Sequence, residues 1–132
     1  MTAALIWNAQ EHGLGQAEMD ATHEEFVALV NAALAADNAG LGAAMATLLS
    51  HTQAHFERES ALMAQCGLGS RLEHEADHRR VLGELTNMQA RAARGRPALV
   101  RPYLAEGIPH WLRSHLATMA ADLAAALLRQ GT

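Results

Sequence analysis

Apolar positions repeat at helical spacing in four successive stretches, and polar or glycine-rich breaks separate them. In the first, from about residue 20 to 36, Phe26, Val27, Val30, Ala33 and Leu34 share one face behind Asp20 as N-cap, and "DNAGLG" ends it. The second runs from about 41 to 66, with Met45, Leu48, Leu49, Thr52, Phe56, Leu62 and Met63 inward and "GLGS" after it. The third, about 70 to 94, starts behind Ser70 and turns Leu72, Val81, Leu82, Leu85 and Met88 toward the core before "RGRP". The fourth, about 103 to 129, carries Leu104, Ile108, Trp111, Leu112, Met119, Leu123 and Leu127, while Gly107 and Pro109 predict a break or kink in its first turns. Helices of this length with short connections predict an all-α fold, an antiparallel up-down four-helix bundle forming a single domain over residues 1–132. Residues 1–18 are less periodic and are expected to form an N-terminal arm packed through Leu5, Ile6 and Trp7.

Composition sharpens this picture. Half of the residues are hydrophobic but only 4% are aromatic, which favours helices over strands. The net charge of −4, with scattered arginines as the basic residues, argues against a nucleic-acid partner. A single Cys66 builds no disulfide framework, no stretch has the apolar length of a membrane span, and the N-terminus lacks the pattern of a signal peptide. The expected location is cytoplasmic.

Histidine is the unusual residue. Eight occur, and five fall on inward faces: His23 before Phe26, His55 beside Phe56, His74 and His78 ahead of Val81, and His115 between Leu112 and Met119. His55 and Glu59 are four residues apart on the same face, as are His74 and His78. A dry carboxylate is costly unless paired or metal-bound. Five imidazoles and a carboxylate exceed the needs of one tetrahedral zinc, so two metals are implied, and a thiolate-free donor set suits iron better than zinc or manganese. The di-iron pattern built on two Glu-x-x-His motifs does not fit, because only Glu75 and His78 match it. His51, one turn before His55, is a weaker candidate; His110, beside Pro109, reads as a surface residue. Glu24, Glu25, Glu57, Arg58, Arg79 and Arg80 read as solvated faces, and His12 has no evident role.

The stretches "MDATHEEFVALVN", "HFERESALM", "HEADH" and "WLRSHL" together resemble the bacterial hemerythrins, in that family's order and spacing, from Trp7 to about Leu123. The resemblance implies that His74, His78 and His115 bind one iron, that His23 and His55 bind the other, and that Glu59 bridges them. It implies two non-heme iron ions with a bridging oxo or hydroxo group, and reversible binding of O2 or another small diatomic or peroxide ligand for storage, delivery or sensing. Phe56, Trp111 and Leu112 are the expected wall of the ligand pocket. A diiron enzyme acting on peroxide, nitric oxide or ferrous iron, or a metal-storage module, is the alternative. One position departs from the family: its last motif places an aspartate five residues after the histidine, and here Ala120 stands there. Asp122, seven residues after His115 and about 20° from the same face of a continuous helix, is the expected substitute ligand.

Overall fold

The computed structural model describes residues 5–131, so the first four residues of the expected arm and Thr132 lie outside it. Three long helices, α2 (Ala17–Ala35), α3 (Asn38–Cys66) and α4 (Arg71–Ala93), follow a short α1 (Ala9–His12). The last stretch is divided into α5 (Val100–Pro102), a π-helical turn (Tyr103–Gly107), α6 (Ile108–Ala117) and α7 (Met119–Arg129). Helix α3 packs against both α2 and α4, the π turn lies against α2, and α7 returns to α3, so the four stretches close into a bundle. Phe26, Leu41, Met45, Leu48, Met63, Leu85, Leu104, Ile108, Leu112 and Leu123 are fully buried between them. Burial of such side chains contributes about 1.5–3 kcal/mol each.

The ends of the helices differ from the expected ones for local reasons. The first long helix begins at Ala17, because the Gln16 side chain accepts the Met19 N–H at 2.8 Å. Asp20, expected as the cap, instead accepts the Leu14 N–H at 2.8 Å and ties the preceding turn to α2. Asp37 caps α3 through the Gly40 N–H, and Gly67, at φ +63°, supplies the left-handed residue that ends it. Ser70 precedes α4 but makes no side-chain cap. Leu72, expected inward, is exposed, since it lies about 200° around the helix from buried His74.

The arm is anchored by its backbone and by alternate side chains. Asn31 donates to the Leu5 carbonyl at 2.7 Å, and Leu5 and Trp7 pack against the core while Ile6, counted inward from sequence, points to solvent. His12 has a place here: its Nδ1 accepts the Asn8 N–H at 2.9 Å, and its ring lies 5.3 Å from that of Trp7.

In the fourth stretch, Gly107 and Pro109 widen the helix rather than break it. Pro109 has no N–H and its ring would crowd the carbonyl four residues back; the π turn just before it, closed by the Ile108 N–H on the Tyr103 carbonyl, relieves that conflict. A Cβ at position 107 would meet the Tyr103 ring at 3.0 Å, so glycine lets this ring close over the turn. The real interruption comes later, at Thr118, where φ −124° and ψ −84° separate α6 from α7.

Candidate metal centre

Each long stretch sends histidine to one interior point. His23 comes from α2, His55 and Glu59 from α3, His74 and His78 from α4 and His115 from α6. The i,i+4 pairs on α3 and α4 present both members to the same neighbour one turn apart. These six side chains are all buried, between 0% and 4% exposed.

Glu59 divides them. Its Oε2 lies 2.5 Å from His55 Nε2 and 3.7 Å from His23 Nε2, whereas Oε1 lies 3.2 Å from His74 Nε2 and 3.4 Å from His78 Nε2. Two groups of donor atoms result, Glu59 with His74, His78 and His115, and Glu59 with His23 and His55, and within each the atoms lie within 4.8 Å of one another. Burial raises the Glu59 pKa, but the imidazoles of His23, His55 and His74 set against its oxygens outweigh burial and hold the carboxyl well below the ordinary value. Burial pushes His78 down to about 3, against the pull of the Glu59 charge. An anionic carboxylate surrounded by imidazole nitrogens is a donor set for cations.

Hydrogen bonding tests the fit. Both ring nitrogens of His23, His74 and His78, the Nδ1 of His55, the Nε2 of His115 and the Glu59 Oε1 are buried without a hydrogen-bond partner. Orphaned buried polar atoms cost about 1–3 kcal/mol each, and among these the Nε2 atoms of His23, His74 and His78 gather around Glu59, where an occupant would satisfy them. Divalent cations supply what these lone pairs lack, so the residues fit a pair of metal ions.

Trp111 stacks on His115 with ring centroids 4.7 Å apart, and Phe56 stacks on His78 at 3.7 Å. Leu112 is buried at 2% exposure. His51 stands outside both groups, its ring 6.3 Å from that of His55 and its Nδ1 3.8 Å from Glu25 on the surface; burial and the neighbouring His55 lower its pKa. His110 is exposed.

Asp122 corrects the expectation drawn from the sequence. It is exposed, accepts a hydrogen bond from Ser70 Oγ, and belongs to neither donor group. The expected geometry assumed a helix continuous from His115. The break at Thr118 changes the register, so that Ala120 turns fully inward and Asp122 outward.

Asp77 was not legible from spacing. Its Oδ2 accepts from Trp111 Nε1 at 2.9 Å and contacts His115 Nδ1 at 3.1 Å, and its Oδ1 accepts from Arg80 at 3.0 Å. The bond to His115, together with those from Trp111 and Arg80, overcomes partial burial and depresses the Asp77 pKa strongly. Arg80, expected to be an idle surface charge, also pairs with Glu84, which accepts the Tyr103 hydroxyl at 3.0 Å.

The sequence profile of the hemerythrin HHE cation binding domain matches residues 14–127. The chain belongs to the hemerythrin family. It is 32% identical over 127 residues to bacteriohemerythrin from Ralstonia nicotianae, spanning 96% of this chain and 91% of that one. Wild-type hemerythrin superposes with a TM-score of 0.82 at 22% identity, covering 93% of this chain and 97% of the other. A leucine-to-alanine variant of hemerythrin gives 0.84, covering 96% and 98%. At that identity the likeness concerns the fold, and it agrees with a helical bundle. Among the described residues no helix is long and apolar enough to cross a membrane.

Proposed function

We propose that this chain is a non-heme diiron protein that binds O2 reversibly inside its bundle, in oxygen storage, delivery or sensing. The observation that carries the proposal is the division of Glu59, one oxygen toward three histidines and the other toward two, with every donor buried. His74, His78 and His115 would hold one iron and His23 and His55 the other, with Glu59 shared and an oxo or hydroxo group as the further bridge. Membership of the hemerythrin family supports iron as the metal and O2 as the ligand. When bound, the two irons supply the electrons and the ligand position for O2.

The chain's own residues supply the rest. The side with two histidines has one imidazole fewer, so a metal held there would have one fewer protein ligand and could take a small ligand in its place. Phe56 and Trp111, against His78 and His115, and the buried Leu112 keep water from the cluster. Water exclusion favours release of the ligand unchanged over its loss as a reduced product. The test is optical: anaerobic protein loaded with ferrous iron should gain a ligand-to-iron charge-transfer band on exposure to O2 and lose it again under argon, over repeated cycles. Irreversible bleaching in the first cycle, or steady consumption of O2, would contradict reversible binding.

A further inference from the structure

We infer that Asp77 is a positioning residue for the metal centre, fixing the tautomer of His115 and strengthening that ring as a ligand. The inference rests on the diiron reading. It starts from an asymmetry among the five inward histidines. His23, His55, His74 and His78 leave Nδ1 buried without a hydrogen-bond partner, whereas His115 Nδ1 lies 3.1 Å from Asp77 Oδ2.

Asp77 is fully engaged by donors. Arg80 occupies Oδ1, and the Trp111 indole N–H shares Oδ2 with His115. An ionised carboxylate has no proton to give, so the His115 contact is a bond only if Nδ1 carries the hydrogen. That choice leaves the Nε2 lone pair bare, and Nε2 is the buried atom without a partner. Asp77 also holds the indole that stacks on His115, with rings 23° from coplanar, so one carboxylate sets both the tautomer and the tilt of the ring.

The surroundings keep that carboxylate charged. Arg80 joins Asp77 to Glu84, and Tyr103 closes the line, along a surface groove of about 610 Å³ whose wall includes Asp77, Arg80, Glu84, Tyr103, Trp111 and His115. A charged acceptor on the outer nitrogen of an imidazole makes the inner one more basic, and losing such a partner typically weakens metal binding about 10–100-fold. The metal beside His74, His78 and His115 is therefore the one whose retention depends on Asp77.

Two variants test this. Asp77→Leu removes the acceptor, and Asp77→Asn removes the charge while keeping an oxygen that can still accept. In the metal-free chain, nitrogen-15 NMR should show wild-type His115 protonated on Nδ1, with the leucine variant shifting toward the Nε2-protonated form. In iron-loaded protein, a ferrous chelator should remove one of the two irons about 10–100-fold faster from the leucine variant, with the asparagine variant between it and wild type. The isosteric asparagine variant keeps the comparison available should the leucine variant not fold. Wild-type His115 protonated on Nε2, or equal release rates from the folded variants and wild type, would overturn the inference. Failure of the wild-type chain to take up iron would instead refute the diiron reading, while the metal-free NMR measurement would still decide whether Asp77 holds His115.

Discussion

A carboxylate that is 2% exposed and shared between two sets of imidazoles has no substitute among the described residues of this site. Replacing it with an amide keeps the shape and removes the charge. Glu59→Gln is therefore expected to hold at most one iron per chain by elemental analysis, with unchanged helical circular dichroism; full loading of that variant would count against the shared role. Tyr103 gives a second prediction at this scale. Burial, with the charge and hydrogen bond of Glu84, raises its pKa above the ordinary 10.0, so the folded state keeps it protonated where the unfolded chain ionises it. Its contribution is thus complete below pH 10 and is lost as pH rises beyond that, at up to about 1.4 kcal/mol per unit. It is the one tyrosine in the sequence, so its ionisation can be followed by ultraviolet absorbance. Urea midpoints should fall between pH 10 and 11.5 in wild type, and Tyr103→Phe should remove most of that slope; equal slopes would refute it. Residues of these two kinds were unequally legible. His55 and Glu59 announce themselves by spacing on one helix, whereas Asp77 meets His115 across 38 residues of sequence, which no local period encodes.

Helix periodicity carried the long elements because α2, α3 and α4 run without interruption, so one face stays one face from end to end. It failed where the backbone leaves that period. At Thr118 the chain steps out of helical register, closing only a three-residue bond from the Thr118 N–H to the His115 carbonyl at 3.3 Å, and the inward face beyond it centres on Ala120, Leu123, Ala124 and Leu127. That step turns Asp122 to Ser70 and brings Ala120 inside. Asp122→Ala is accordingly expected to leave iron content unchanged and to cost no more than about 1 kcal/mol, the worth of an exposed hydrogen bond. A drop in iron content would restore Asp122 as a ligand. Ala120→Asp should behave oppositely: a carboxylate at this fully buried position destabilises the metal-free chain, and iron loading recovers the loss if the new oxygen reaches the metals. Thermal melts of both variants, with and without iron, separate these outcomes.

At the scale of the whole molecule, the bundle holds its apolar core and its polar cluster in one interior, so stability and metal content are coupled. On the diiron proposal, bound metal would satisfy the unpartnered nitrogens that face Glu59, and removing iron with a chelator is expected to lower the melting temperature by about 10 °C or more. A melt unchanged by metal removal would mean that the cluster satisfies itself. The chain's place in the hemerythrin family and the superposition on hemerythrin structures agree with the four-helix reading, while the division of Glu59 is a property of this chain's own geometry. That division is the centre of the account, and iron stoichiometry tests it most directly. Protein purified metal-free, loaded anaerobically with excess ferrous iron and freed of unbound metal should contain two irons per chain. A stoichiometry of one, or of none, would contradict two metals held by three and two histidines across a shared Glu59.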